Sequence, residues 1–207
     1  AAVSSSLPYL IHAPEDGSTV SVGAPAGPNG KLYIAGKVLA HSTIHLYSGE
    51  SEDGMDVELD WTGLLETVDG SITLNPGVNA VVSGDVIAGG ADSDVTINAT
   101  NSLLLNGSLQ AQRDVILNAG TLEQPGEESI RTHGTSTIRS VGGDGEIIIT
   151  GLNDVAINSQ VGPGSVDLAL VRLASTAGDL VVEKESGWIE TGALVEFVGH
   201  NVEIAGV

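Results

Sequence analysis

Two stretches decide how this chain folds: Asp94-Val95-Thr96-Ile97-Asn98-Ala99 and Asp114-Val115-Ile116-Leu117-Asn118-Ala119. In each, an acid opens the phrase, two aliphatic residues stand two apart, and an asparagine follows. A period of two marks a strand that buries one face and leaves the other open. The phrase returns as Asp154-Val155-Ala156-Ile157-Asn158-Ser159. Looser copies are Ser71-Ile72-Thr73-Leu74-Asn75-Pro76, Gly178-Asp179-Leu180-Val181-Val182-Glu183 and Asn201-Val202-Glu203-Ile204-Ala205, with Thr43-Ile44-His45-Leu46-Tyr47 as the first member. The first aliphatic residues fall at 44, 72, 95, 115, 155, 180 and 202, in steps of 28, 23, 20, 40, 25 and 22 residues. The step of 40 reads as two turns with a degenerate copy near Thr137-Ile138-Arg139.

A phrase returning every 20–28 residues with the same inward pair predicts a parallel β-helix (β-solenoid). One coil cannot bury its apolar face alone, but stacked coils share a continuous core. Asparagines at one position of successive coils can bond one another as a ladder, which makes Asn75, Asn98, Asn118 and Asn158 candidate ladder residues. A β-sandwich is the alternative, since it too uses short strands and frequent turns, but it gives no reason for the returning phrase.

Composition agrees. The 207 residues hold 23 Val and 15 Ile but only 3% aromatics, so the core is aliphatic and strand-forming. With 28 glycines and no cysteine, turns are frequent, and disulfides and thiol-bound zinc are ruled out. A net charge of −20 argues against nucleic acid as a partner, and no apolar run has the length of a membrane-spanning helix.

Two regions break the pattern. Residues 1–30 carry four of the seven prolines and read as an N-terminal arm or cap, with the β-helix over 31–207. Residues 49–70 hold eight acids and no Lys or Arg, and read as an acidic insertion; Thr121 to Glu128 reads as a second excursion. Val202-Glu203-Ile204 close to the last residue predicts a strand edge that meets further repeats of a longer chain or another copy of itself.

Acidic turns at Asp53, Asp56, Asp92, Asp94 and Asp144 offer hard oxygen ligands suited to calcium, though none completes a known calcium loop. His41 and His45 stand about 13 Å apart along a strand, too far to share an ion. No nucleophile elbow or phosphate loop occurs. A polysaccharide-binding or -cleaving β-helix would need paired carboxylates and aromatic platforms, for which Trp61 and Trp188 are the test. The basic residues Lys31, Lys37, Arg113, Arg131, Arg139, Arg172 and Lys184 do not cluster in sequence.

The run Asn106-Gly107-Ser108-Leu109-Gln110-Ala111, followed by Asp114-Val115-Ile116-Leu117-Asn118-Ala119-Gly120, resembles the repeats of filamentous haemagglutinin-type secreted bacterial adhesins. The resemblance spans about residues 70–160. It implies a right-handed parallel β-helix within a large secreted or cell-surface protein. The expected role is a non-enzymatic stalk or filament segment that stacks end to end with itself or with neighbouring repeats. A glycan is the other expected partner.

Overall fold

The structure is a computed structural model that describes residues 10–25, 30–49, 56–120, 128–163, 168–183, 188–189 and 194–205. The chain winds through eight rungs of three strands each. The first rung is β1 (Leu10–Ala13), β2 (Thr19–Ala24) and β3 (Leu32–Ile34); the second is β4 (Lys37–Ala40), β5 (Thr43–Ser48) and β6 (Val57–Leu59). The third comprises β7 (Leu64–Thr67), β8 (Ile72–Asn75) and β9 (Asn79–Val82), and the fourth β10 (Asp85–Ala88), β11 (Val95–Ala99) and β12 (Ser102–Leu105). Then come β13 (Ser108–Ala111), β14 (Val115–Ala119) and β15 (Glu128–Thr132), followed by β16 (Thr137–Ser140), β17 (Glu146–Gly151) and β18 (Asp154–Ile157). The seventh rung is β19 (Gln160–Pro163), β20 (Leu170–Ser175) and β21 (Leu180–Val182), and the eighth β22 (Trp188–Ile189), β23 (Leu194–Val198) and β24 (Val202–Ile204).

Every third strand joins the same sheet, giving three eight-stranded sheets, and every pairing is parallel. Sheet 1 begins with β1, sheet 2 with β2 and sheet 3 with β3. A sandwich would pair its strands antiparallel; this is a β-solenoid.

The inward pairs form straight aliphatic columns. In sheet 2, Ile44, Ile72, Val95, Val115, Ile147 and Val171 stack in one column and Leu46, Leu74, Ile97, Leu117, Ile149 and Leu173 in the next, all fully buried. At roughly 1.5–3 kcal/mol per buried aliphatic side chain, these columns and those of the other two sheets drive the stacking. Small residues fill the corners, as in Ala40, Thr67, Ala88, Ala111 and Ser140 of sheet 1, where the walls converge.

The returning phrase is shared by two sheets rather than one. The copies at 44, 72, 95 and 115 lie in sheet 2, but those at 155, 180 and 202 lie in sheet 3. The missing member after Val115 is Ile147, and Thr137-Ile138-Arg139 belongs to sheet 1. Step length is set by the corners, and reaches 32 residues between Asp114 and Glu146, where residues 121–127 intervene.

The ends of the coil also differ from the reading of 1–30 and 49–70. β1 and β2 already pair with β4 and β5, so the coil is running by Leu10. Pro14 and Pro25 follow strand ends, where no ladder donor is needed. Within 49–70, β6 and β7 are ordinary members of sheets 3 and 1; Glu58 and Glu66 sit at their outward positions, with Val57, Leu59 and Leu65 buried. Most of the second excursion, 121–127, lies outside the described residues, as does Asp53.

Candidate functional site

The outer face of sheet 2 carries an amide ladder. Asn75, Asn98 and Asn118 follow an inward residue and therefore point out, in register. Asn118 Nδ2 donates to Asn98 Oδ1 (2.9 Å), and Asn98 Nδ2 donates to Asn75 Oδ1 (3.0 Å). This order leaves Asn75 Nδ2 facing His45 Nε2 at 3.0 Å. An amide nitrogen only donates, so in this contact Nε2 is the accepting atom. The His45 ring also lies against Tyr47, centroids 5.3 Å apart. On the next rung Asn118 is opposite Thr150, so the run of amides stops there. Asn158 does not belong to it: it follows β18 in sheet 3, is buried, and among the described residues its Oδ1 has no hydrogen-bond partner. The same word in the sequence serves a different face.

Where the ladder ends, sheet 2 turns toward sheet 3 and leaves an open groove of about 290 Å3. Asn98, Asn118, Thr150 and Thr176 line it, over a floor that includes Ala119 and Leu152.

The acidic turns form a second kind of ladder, built from backbone donors. At the corner entering sheet 2, Ser71 Oγ accepts from Asp94 N (3.0 Å), Asp94 Oδ1 from Asp114 N (3.2 Å) and Asp114 Oδ1 from Glu146 N (2.9 Å). At the corner entering sheet 3, Asp154 Oδ1 takes Asp179 N (2.8 Å) and Asp179 Oδ1 takes Asn201 N (3.2 Å). Corner N–H groups fall outside the strand ladders, and each carboxylate satisfies one from the next rung.

Arg113 grips Asp94 with two bonds, Nε to Oδ1 (2.9 Å) and Nη2 to Oδ2 (2.6 Å), and reaches Asp114 at 3.2 Å. Hydrogen bonding and attraction from Asp94 raise the guanidinium's already high pKa. The third acidic motif is Asp60, which accepts from Thr62 N (3.1 Å) and Tyr33 OH (2.9 Å). The Thr62 backbone bond is the main reason its carboxyl titrates below the usual range, while Asp60 in turn pushes the Tyr33 phenol up.

The residues singled out for calcium are dispersed. Asp56 is buried before β6, where its Oδ2 accepts from Val78 N and from Asn79 N (3.3 Å). Asp92 and Asp94 precede β11, and exposed Asp144 precedes β17, two strands further along the sheet. Among the described residues no three His, Asp or Glu side chains gather in a way that could hold a metal ion.

The aromatic and basic residues are equally spread. Trp61 is 78% exposed in the turn before β7, and Trp188 lies in β22, five strands and about 24 Å along sheet 1. Arg139, Arg172 and Arg131 stand on sheets 1, 2 and 3, on three different faces.

The eighth rung is distinct. Ile189, Val195, Phe197 and Ile204 pack on the core but are only partly covered, whereas their partners one rung in, Val161, Val171, Leu173 and Val182, are fully buried. Leu194 and Val202 beside them are exposed. No protein-family model, curated protein or solved structure matches the chain.

The sequence reading missed two features. One is the backbone role of the corner acids, whose signal was the acid opening each phrase. The other is a glycine column before the sheet 1 strands, Gly36, Gly63, Gly84 and Gly107, signalled by the dipeptides Ser83-Gly84 and Asn106-Gly107.

Proposed function

We infer that the chain is a non-enzymatic, extracellular structural module: a rigid stalk or filament segment of an adhesin-like surface protein, which stacks end to end with itself or with neighbouring repeats. The stacking itself carries this reading: each rung buries its inward residues against its neighbours, and the inward columns run on to Ile189, Val195, Phe197 and Ile204 by the same parallel pairing. Rungs of neighbouring repeats or of a second copy can extend such columns by strand addition.

Three further observations support it. The resemblance of residues 70–160 to adhesin repeats supports a secreted or cell-surface setting. The corner carboxylates are engaged with backbone N–H groups, as scaffold parts are. A charge of −20 keeps rods from associating side by side. The alternative of a polysaccharide-degrading β-helix has less support, because Trp61 and Trp188 are not brought to one groove.

Negative-stain electron microscopy of the purified chain, with calcium and with a chelator, tests the reading. Rods joined end to end are expected, reduced to single short rods by Phe197→Glu. Single short rods of the unaltered chain at every concentration, with and without calcium, would remove self-assembly from the account.

A further inference from the structure

We propose that the groove at the end of the amide ladder binds a neutral, hydroxyl-rich glycan. It lies on the side of the rod, and the inference holds whether or not rods join at their ends.

The first argument is charge. In a chain of net charge −20, this groove of about 290 Å3 has no Asp, Glu, Lys or Arg among its described lining residues. Among the described residues an anionic sugar finds no cation there, and a cation finds no carboxylate. What the walls offer is carboxamides and hydroxyls, from Asn98, Asn118, Thr150 and Thr176, above the apolar surface of Leu152. Convergent neutral donors and acceptors over an apolar floor suit the two sides of a sugar ring, its hydroxyl rim and its C–H face.

The second argument is unspent hydrogen-bonding capacity. The ladder runs one way, so Asn118 gives Nδ2 to Asn98 and keeps Oδ1 for the groove. The opposite residue on the next rung is Thr150, and among the described residues neither its hydroxyl nor Asn118 Oδ1 has a partner. Each ladder amide also keeps a second N–H. These groups are held by the rungs beneath them, so little side-chain freedom is lost on binding.

The third argument is spacing. Asn98, Asn118 and Thr150 repeat along the rod at the strand interval of about 4.8 Å. An extended oligosaccharide lying parallel to the axis meets one polar side chain after another. Gly120 keeps the corner tight: its φ is +87°, and a Cβ there would come within 2.6 Å of Ser129 Oγ and 2.9 Å of Leu152 Cβ. No aromatic platform lies among the described lining residues, so a single site is weak and multivalent display gains by avidity.

The test is a glycan array holding neutral, sialylated and sulfated oligosaccharides, probed with the chain displayed multivalently. The best neutral oligosaccharide is then titrated against the monomeric chain by NMR. Binding of neutral glycans is expected, with shifts at Asn98, Asn118, Thr150 and Thr176. At least tenfold weaker binding is expected for Thr150→Val and for Asn118→Ala. Thr150→Val keeps the volume of an outward side chain, so its unfolding midpoint should stay at that of the parent. Absence of neutral-glycan binding, preference for anionic glycans, or affinity unchanged in both variants would overturn the assignment.

Discussion

Replacing Gly107 with alanine probes the stacking geometry more sharply than any core substitution. Gly107 precedes β13, directly above Gly84, and its backbone conformation is one that alanine adopts freely, so the effect is purely steric. A Cβ there would overlap the Gly84 carbonyl oxygen and lie 2.7 Å from the carbonyl carbon and oxygen of Ser83. Ordinary contact is about 3.5 Å, so the corner must lift by on the order of 1 Å. Lifting stretches the bonds by which Asn106 N (2.8 Å) and Gly107 N (3.0 Å) reach Val82 O. Overpacking of roughly 1–3 kcal/mol, together with about 1 kcal/mol for a weakened hydrogen bond, gives a cost of about 2–4 kcal/mol. For a chain of this size that lowers Tm by roughly 5–15 °C. Gly143 supplies the control. It too lies in a glycine turn, but a Cβ there meets nothing within 4 Å. Gly143→Ala should be neutral or stabilising by about 0.4–1 kcal/mol. Circular dichroism during urea and thermal unfolding measures both. Equal effects of the two substitutions, or a Gly107→Ala cost below about 0.5 kcal/mol, would refute the close rung-to-rung contact.

Other substitutions separate the remaining forces. Leu117→Ala empties a fully buried site in the middle of a column and should cost about 2–5 kcal/mol in the same unfolding assay. Asp114→Asn keeps an acceptor for Glu146 N and loses an exposed ion pair, so it should cost under about 1 kcal/mol, while Asp114→Leu strands the N–H and should cost about 1–3 kcal/mol. The Tyr33–Asp60 pair predicts two pH limits. Asp60 titrates below its ordinary value, so its stabilisation is present above about pH 4 and is lost as pH falls through the lower folded value. Tyr33 titrates above its ordinary value, so its stabilisation is present below about pH 10 and is lost as pH rises through the higher folded value. Urea midpoints from pH 3 to 11 should therefore decline at both ends, with the alkaline decline reduced in Tyr33→Phe.

Much of the architecture is legible in the residues because stacking demands repetition. The inward pairs Val95/Ile97 and Val115/Leu117 and the asparagines behind them occupy equivalent places, and three of the four expected ladder members meet as read. What is illegible is which face a phrase belongs to. All three inner walls ask for the same aliphatic pair, so Val155/Ile157 reads like Val115/Leu117 but pairs in sheet 3. Corner length is free to vary, since a corner need only return the chain to the next rung. A proline-rich or acidic stretch can therefore hide strands such as β2 and β6. The sites are harder still. The groove depends on Thr150 lying opposite Asn118, a contact across residues 121–127 that spacing alone does not fix.

The dimension of the rod tests the account most directly. Ser21 and Glu196 occupy one outward column of sheet 2, seven rung spacings apart, which corresponds to about 34 Å. The chain has no cysteine, so spin labels at Ser21→Cys and Glu196→Cys report a single pair, measured by pulsed electron resonance in samples diluted with unlabelled chain. A narrow distance distribution near 34 Å, allowing for the label arms, is predicted. A broad distribution, or a separation below about 20 Å such as a two-layer sandwich would give, would contradict the eight-rung stack.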